Sequence, residues 1–521
     1  MAILSGNIYI DVLAIAVSIF AVIVALFKWQ FGYWERRDVY APKPTIPFGN
    51  AKDLLLQRVT IGIDIKNVYD DIKSKRKKFG GYYFLGKPIF IPVDLDLVKV
   101  MLTKDFMHFT NHMNTVDEET DPLTGHLFSL KDSKWRNLRS KLTPTFTSGK
   151  MKMMFPTLLD CSDNLVTLVD RYIEEKEPID IKDVAARFTT DIISSCAFGI
   201  ECNSLKNANC EFRENGRKIF DITTWEGLVR LMTVTVPDLL VYLKIKTFRK
   251  DTTDFFMNIV KQTVNYRETN NIIRKDFMHL LIQLRNNVKI QENDVGELKD
   301  INRSNNNAPS LTLNELTAQA FVFFVAGFET SSTTTTFCLY ELAENPNLQN
   351  QAREEINSVL EKHDGKLTYD GTMKLVYLDK CIHETLRKYP PLPIHTRECT
   401  ETYKVRGTDL IIKKGQSVFI PVMGIQYDPE YYPNPDKFDP ERFSEENRAK
   451  RHAAAWTPFG DGPRACIGMR FGVMQTKVGL VTLLRNFKFT LHPKTELPLF
   501  LDPKSFILAV EGGVWLKAER V

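Results

Sequence analysis

The segment at residues 459–468 constrains the local fold more than any other part of the chain. It reads FGDGPRACIG and places Cys466 in a glycine-rich turn just ahead of residues 469–487, which have helical character. Gly462 and Gly468 allow the backbone to approach a large flat ligand closely. The amides of the following helix and the charge of Arg464 favour the thiolate form of Cys466. These are the properties of a thiolate ligand to haem iron, and a buried structural cysteine is the alternative.

The composition excludes several classes of protein. The chain has 521 residues and a formal net charge of +5, which is too small to indicate a nucleic-acid partner. Its eight cysteines are spread without the paired spacing of a metal site. We therefore expect reduced thiols and no disulfide scaffold.

An apolar run at residues 8–27 is long enough to cross a membrane, since about twenty residues at about 1.5 Å each span about 30 Å. No Lys or Arg precedes it, whereas Lys28, Arg36, Arg37 and Lys43 follow. The positive-inside rule then places residues 1–7 in the lumen and the remainder of the chain in the cytosol. A cleaved signal peptide is the alternative, but the basic leader and the small-residue cleavage site are missing.

Residues 28–50 form a basic and proline-rich hinge, and residues 51–521 show no second boundary. Helical periodicity predicts helices at 155–175, 254–266, 313–344 and 348–363. Short strand-like runs occur at 82–85, 89–93, 410–412, 417–422, 487–491 and 506–510. The pattern predicts one mainly α domain with small β-sheets.

The longest predicted helix carries an unusual centre. It is entered from Ser310, with Thr312 or Asn314 as alternative caps, and its middle reads AGFETS at residues 326–331. Glycine, an acid and hydroxyl residues are poor choices for a buried apolar helix. Such a local conflict is typical of a functional site.

Several motifs together resemble the cytochrome P450 family. The cysteine segment matches F-x-x-G-x-R-x-C-x-G at all five fixed positions, and residues 326–331 match [A/G]-G-x-[D/E]-T-[T/S]. The chain also contains E-x-x-R at residues 384–387, P-E-R-F at 440–443 and W-x-x-x-R at 135–139. The resemblance covers nearly all of the chain after the apolar run and is strongest to the insect branch of microsomal P450s that act on foreign compounds.

The resemblance implies a role for each matching residue. Cys466 would be the axial ligand of haem b, and Thr330 and Glu329 would be catalytic in oxygen activation and proton supply. The residues expected against the haem are Trp135, Arg139, Ala326, Arg397, Phe459, Arg464 and Gly468. Those expected in the substrate pocket are Phe128, Val322, Val325, Leu392 and Ile394, with residues 506–510. Glu384, Arg387 and Arg442 would form a structural network.

His112 departs from the family pattern, because close relatives often have an arginine for a haem propionate at this place. We expect it to be a conditional propionate donor, with a solvent-exposed loop residue as the alternative. Seven basic residues flank the proximal face, where the family binds its reductase: Lys134, Arg136, Lys141, Lys150, Lys152, Arg470 and Lys477.

The implied protein is a haem-thiolate monooxygenase on the cytosolic face of the endoplasmic reticulum membrane. It would use O2 and electrons from NADPH–cytochrome P450 reductase, with cytochrome b5 as a second donor, to oxidise lipophilic foreign compounds. The alternatives are a dedicated hydroxylase of a hormone, pheromone or fatty-acid-like compound, a non-catalytic haem sensor, and an isomerase. The intact Glu329–Thr330 pair disfavours the last two.

Overall fold

The computed structural model describes residues 8–221, 223–286 and 310–521, so the predicted lumenal residues 1–7 lie outside it. Its helices are α1 (Ile8–Phe31), α2 (Lys52–Leu55), α3 (Ile61–Ser74), α4 (Leu95–Leu102), α5 (Asp132–Leu142), α6 (Ser148–Glu175), α7 (Ile181–Ile193), α8 (Glu211–Phe220), α9 (Thr224–Thr235), α10 (Pro237–Tyr242), α11 (Lys250–Thr269), α12 (Phe277–Arg285), α13 (Leu313–Glu344), α14 (Pro346–Glu361), α15 (Tyr369–Thr372), α16 (Val376–Lys388), α17 (Val422–Gln426), α18 (Glu445–Ala449) and α19 (Met469–Asn486). The mainly α fold with small sheets is confirmed.

The strands are β1 (Phe79–Phe84), β2 (Lys87–Pro92), β3 (Ile179–Asp180), β4 (His395–Glu398), β5 (Tyr403–Lys404), β6 (Ile411–Ile412), β7 (Ser417–Ile420), β8 (Phe487–Leu491) and β9 (Trp515–Arg520). They form a four-stranded sheet in the order β1-β2-β7-β4, a three-stranded sheet in the order β3-β9-β8, and a β5–β6 pair. In the first sheet β2 and β7 are parallel and the other pairs are antiparallel.

The strand predicted at residues 506–510 is wrong. In this segment only Val510 makes a strand-like bridge, to Leu501. Leu508 instead donates its backbone N–H to Pro391 O at 3.1 Å, and its side chain is buried in the helical core. Ile507 and Leu508 are buried whereas Phe506 is exposed, and burial of part of an apolar run does not require strand pairing.

Helix α13 runs through the middle of the helical core. Its predicted bounds are confirmed, but its N-cap is Thr312, which forms a capping box with Glu315, and not Ser310. Residues on all sides of the helix are buried, as expected for a helix that other helices surround. Packing on all sides therefore fixes the position of the centre of α13 within the helical core.

The segment after α1 lies against the first sheet. The Trp34 side chain is buried and its Nε1–H donates to Tyr82 O at 3.3 Å. A side chain at Gly81 would collide with the Trp34 ring, 2.2 Å from the added Cβ. Further along, Tyr40 O accepts the Gly81 amide at 2.8 Å and the Asn50 amide donates to Tyr83 O at 2.8 Å. The segment therefore contacts β1 at several points, and the hinge assigned to 28–50 stays a prediction.

Helix α1 carries the predicted anchor. Its 24 residues correspond to about 36 Å, which exceeds the roughly 30 Å of a hydrocarbon core. Within the described part of the chain it is the single helix that is long and apolar enough to cross a membrane. The helix is consistent with membrane anchoring.

We expect Asp64→Asn to stabilise the protein at neutral pH. Asp64 accepts a hydrogen bond from Tyr82 Oη at 2.6 Å, and burial raises the pKa of its carboxyl from 3.8 to about 6. Between these values the folded state binds more protons than the unfolded chain, so stability falls as the pH rises. The variant should gain up to about 3 kcal/mol in free energy of unfolding at pH 7.5 and almost none near pH 4.

Urea unfolding of the solubilised protein at the two pH values measures this difference. The control is Asp70→Asn in the same helix, because Asp70 is exposed and pairs only with Lys66 at the surface. A gain of the same size at both pH values would contradict the role assigned to Asp64.

Candidate active site

A cavity of about 270 Å³ separates α13 from the Cys466 turn. Twelve of the predicted site residues line it: Phe128, Trp135, Arg139, Val322, Ala326, Thr330, Leu392, Arg397, Phe459, Arg464, Cys466 and Gly468. Glu329, Val325, Ile394 and residues 506–510, which were also predicted at the site, do not line it. The residues come from α5, α13, β4, the turn before α19 and the segments that precede α5 and β4, so the fold brings together parts of the chain that are far apart in sequence.

Cys466 lies on the proximal wall of the cavity. Its backbone N–H donates to Phe459 O at 2.8 Å, which closes the turn. Burial raises the pKa of the thiol, while the Gly468 amide and the positive charge of Arg139 act in the opposite direction. The turn is enclosed by protein, but the Cys466 side chain is exposed on the side of the cavity. The sulfur therefore faces the space in which a ligand would lie.

Gly462 has a different role from the one expected. Its φ of +71° lies in the left-handed region, and an added Cβ would be 1.9 Å from Leu102 O. This glycine is required by the turn and by the close approach of α4, and it is not among the residues that line the cavity. Gly468 does line it.

The distal wall is formed by the centre of α13. The Thr330 hydroxyl donates to Ala326 O at 2.6 Å, and Gln475 Nε2 of α19 donates to Gly327 O at 3.1 Å. Gln475 is fully buried and its Oε1 has no hydrogen-bond partner. Side chains thus bond two successive carbonyls of this turn, which faces Cys466 across the cavity.

Glu329 points to the opposite side of α13. Its carboxylate pairs with Lys182 Nζ of α7 at 2.6 Å, and the same amine bonds the hydroxyls of Ser332 and Thr333. Neighbouring residues of α13 can both line the cavity, as Thr330 and Ser331 do, but Glu329 is turned about 100° from Thr330 in the other direction, toward α7. The structure places Thr330 in the wall and Glu329 behind it.

Three arginines, Arg139, Arg397 and Arg464, converge on the cavity, and none of them forms an ion pair with a carboxylate of the described residues. Burial lowers the pKa of Arg464 to about 9, with further lowering by Arg397 and Arg139. Burial likewise lowers the pKa of Arg397 to about 10. Arg464 Nη1 and Arg397 Nε are buried donors without a partner. Buried positive charges of this kind require an anion.

The unpaired guanidinium donors of Arg397 and Arg464 allow the fit of a haem to this site to be judged. The two propionates of haem are carboxylates, and arginine is the usual partner for such groups. Trp135 lies beside them, with the Arg464 guanidinium 4.4 Å from its ring centre. The residues on this edge fit a dianionic, flat cofactor whose iron would face Cys466.

His112 is a buried residue of this edge. It lines the cavity and stacks on Phe128 with ring centres 4.2 Å apart, so the solvent-exposed alternative is wrong. Its Nδ1 lies 3.0 Å from Thr396 O and 3.1 Å from Arg397 Nη1. Burial, Arg397 and Arg464 hold its pKa well below the usual value, so the ring is neutral here.

The predicted structural network is assembled on the proximal side. Arg387 donates to both carboxylate oxygens of Glu384 at 2.8 Å, and both side chains are fully buried. Arg442 Nε lies 3.3 Å from Glu384 Oε1, and the Asp439 amide donates to the same oxygen. The network joins α16 to the segment that leads to the Cys466 turn.

Trp456 continues this connection. Its Nε1–H donates to His383 O on α16 at 3.2 Å, and its ring is 6.2 Å from that of Phe459. Phe459 accepts the Cys466 amide. The position of the thiol therefore depends on contacts that begin in α16.

Comparisons with known proteins agree with this geometry. A family model described as Cytochrome P450 matches residues 42–516. The chain is a cytochrome P450. It is 44% identical over 497 residues to "Probable cytochrome P450 6a14" of Drosophila melanogaster, covering 94% of this chain and 96% of that one.

Two further relatives come from other insects. "Cytochrome P450 6A1" of Musca domestica is 42% identical over 95% of each chain. "Cytochrome P450 6k1" of Blattella germanica is 41% identical over 99% of this chain and 98% of its own. The protein is an insect P450 of the CYP6 type, a monooxygenase with haem b as its cofactor.

The structure also shows residues of the P450 site that the motifs missed. Lys182 and Gln475 bond Ser332 and Gly327 in the centre of α13, although each lies about 150 residues away in the sequence. Ile193, Phe277 and Phe471 line the cavity from α7, α12 and α19. In the sequence an apolar cavity residue has the same appearance as a core residue, so no signal could have separated them.

Two of the seven basic residues expected at the reductase surface are buried. Lys477 Nζ pairs with Asp379 at 2.8 Å and donates to Thr372 O, and Lys150 is likewise inaccessible. Their alkyl chains lie within the helical packing, so they cannot bind a partner. Lys134, Arg136, Lys152 and Arg470 are exposed.

We expect Glu384→Gln to abolish haem loading of the P450. The change leaves Arg387 as a buried charge without its partner, which costs about 3–5 kcal/mol. The fraction of protein with a thiolate-type Soret shift in the reduced carbon-monoxide spectrum measures haem loading.

The matched control is Lys380→Met, because Lys380 pairs with Glu441 at 2.9 Å in an exposed bridge between the same two segments. Such a pair contributes less than about 1 kcal/mol, so haem loading should not change. Equal loading of the two variants would contradict the structural role of Glu384.

Proposed function

We propose that this P450 inserts one oxygen atom from O2 into lipophilic foreign compounds, such as plant toxins or insecticides. The observation that carries the proposal is the distribution of charge around the cavity. None of the described residues that line it is Asp, Glu or Lys, and its arginines lie on the edge assigned to the propionates. The space left for a substrate is bounded by apolar groups, among them Phe128, Val322 and Leu392, which select by shape and hydrophobicity.

Each residue of the site has a proposed task. Cys466 would bind the iron, while Trp135, Arg139, Arg397 and Arg464 would bind the propionates. Phe459, Gly468 and Ala326 would contact the haem as well. When bound, haem supplies the iron at which O2 is reduced and cleaved. The remaining polar groups of the chain then have to deliver protons and exclude bulk water.

Thr330 is proposed to take part in proton transfer inside the cavity. Its own O–H is donated to Ala326 O, which leaves the oxygen lone pairs free to accept from a group in the cavity. Glu329 and Lys182 lie behind it, partly accessible, and are proposed to receive protons from the solvent side. In this arrangement one helix separates the proton source from the reacting atoms.

The electron donor and the membrane are the proposed macromolecular partners. NADPH–cytochrome P450 reductase, with cytochrome b5 as a second donor, would bind the face that carries Lys134, Arg136, Lys152 and Arg470. Exposed apolar side chains of α9 and α10, among them Trp225, Leu239 and Tyr242, would rest on the bilayer together with α1. We assign this membrane to the endoplasmic reticulum.

The substrate class is tested with the full-length P450 and its reductase in lipid bilayers. We expect NADPH-dependent hydroxylation of several chemically unrelated lipophilic compounds, with oxygen-18 from labelled O2 in the products. Turnover of one hormone, pheromone or fatty-acid-like compound alone would favour a dedicated hydroxylase. A thiolate-type spectrum without turnover of any compound would favour a sensor.

We expect Thr330→Ala to keep haem binding but to lower product formed per NADPH by about tenfold or more, because a positioned proton-transfer group typically contributes at least this much. Peroxide should account for the missing electrons. The control is Thr336→Ala in the same helix, since the Thr336 hydroxyl bonds Ser332 O away from the cavity. Unchanged coupling in Thr330→Ala would remove the role proposed for this residue.

A further inference from the structure

A buried glutamine joins helix α13 to the loop at residues 125–130. Gln319 is fully buried and, among the described residues, is not one of those that line the cavity. Its Oε1 accepts the Leu127 backbone N–H at 2.8 Å. Its Nε2 donates to Gly125 O at 3.1 Å and to Glu315 O at 3.0 Å. Both N–H bonds and the oxygen of the amide are therefore used, and two of the three contacts hold the loop.

The 125–130 loop forms one wall of the cavity. Leu127 and Phe128 line the cavity, and the loop lies between the 3-10 turn at Pro122–Thr124 and α5, outside the helices and strands. Gly125 and Leu127 are buried, so their backbone groups depend on partners within the protein. Gln319 is the partner of both Leu127 N–H and Gly125 O.

Arg464 attaches the other end of the same loop. Its Nη2 donates to Phe128 O at 3.1 Å and to Leu130 O at 2.8 Å. The loop is thus held from two sides, by the arginine on the edge assigned to the propionates and by Gln319 on α13. Val322, one turn further along α13, lines the cavity. The bonds of Gln319 therefore set the spacing between Val322 and the loop that carries Phe128.

We propose that Gln319 is a positioning residue that sets the shape of the substrate pocket by fixing the 125–130 loop on α13. The proposal rests on the proposed use of the cavity as the site of lipophilic substrates. Gln319 reaches the loop through backbone atoms, so it places Phe128 without contacting a substrate or the haem. Without the amide, Leu127 N–H and Gly125 O would be buried and unsatisfied, and the loop would have to move to restore their hydrogen bonds. Gln319 is in this way a determinant of which molecules fit.

The test compares two imidazoles of different size on the full-length, haem-loaded P450 in lipid bilayers. Both bind ferric haem iron through a ring nitrogen, and the shift of the Soret band gives the dissociation constant. Imidazole itself needs little more than the iron, whereas clotrimazole carries bulky aromatic rings that have to fit between the walls of the cavity. In Gln319→Met, which keeps the length of the side chain, we expect clotrimazole to bind about tenfold more weakly, because the loop has to be reordered on binding. Imidazole should bind as it does to the wild-type protein.

Gln349→Met is the matched control. Gln349 is also buried, its Oε1 accepts the Phe489 N–H at 2.9 Å, and its Nε2 donates to Phe489 O and Leu342 O. These bonds join α14 to β8 and to the end of α13, and Gln349 is not among the described residues that line the cavity. The control loses the same kinds of hydrogen bond, with one further bond from Arg353, so it should lose at least as much stability but keep its affinity for clotrimazole.

Three results of this comparison would overturn the proposal. The first is unchanged clotrimazole affinity in Gln319→Met, and the second is an equal loss in both variants, which would be a general effect of destabilisation. The third is an equal loss of affinity for clotrimazole and imidazole in Gln319→Met, which would place the effect at the haem and not at the loop.

A measurement on the wild-type protein does not depend on either variant folding. Hydrogen exchange, resolved to single amides by fragmentation, reports on the Leu127 N–H. We expect this amide to exchange at least about 100 times more slowly than an unstructured amide, with or without clotrimazole, because Gln319 holds it before any ligand binds. Exchange at the unstructured rate, or slow exchange only with clotrimazole, would contradict the role of Gln319. None of these measurements uses turnover, so this proposal and the proposed function can fail separately.

Discussion

The buried Glu384–Arg387 pair is the interaction on which the proximal half of this P450 depends. Both carboxylate oxygens and two guanidinium nitrogens are satisfied within α16, and neither side chain reaches solvent. Arg442 and the Asp439 amide complete the shell around Glu384 and attach the downstream segment. A buried pair is weak evidence of stability by itself. Here the Glu384–Arg387 pair helps to position the turn that carries the Cys466 thiol.

In the cavity, by contrast, the buried arginines are not paired with carboxylates of the described residues. Arg139, Arg397 and Arg464 lie together, none of them forms an ion pair with such a carboxylate, and burial lowers the pKa of each. The protein thus holds buried positive charge that is not paired with a carboxylate in the described part of the chain, and this charge is suited to the propionates of haem. We therefore expect cofactor binding to stabilise the folded protein, because the propionates would offset the repulsion among these arginines.

Local sequence rules succeeded where a short segment determines its own structure. The bounds of α13 and of β8 were predicted correctly, because apolar periodicity in the helix and strand-forming residues in the strand are local signals. They failed at residues 506–510, which form a loop with Ile507 and Leu508 buried, and at the cap of α13 they left Ser310, Thr312 and Asn314 open, of which Thr312 is the cap. Lys150 and Lys477 were expected at the surface, and helix packing buries both.

The sequence by itself determined the chemistry at the iron, because the residues around Cys466 and the acid–threonine pair are contiguous motifs with recognisable spacing. Only the tertiary structure decided which way those residues face. Thr330 lines the cavity while Glu329 pairs with Lys182, and Gln475 and His112 contribute from distant segments. The physical reason is that side-chain direction follows from helix rotation and packing, which depend on contacts between residues far apart in the chain.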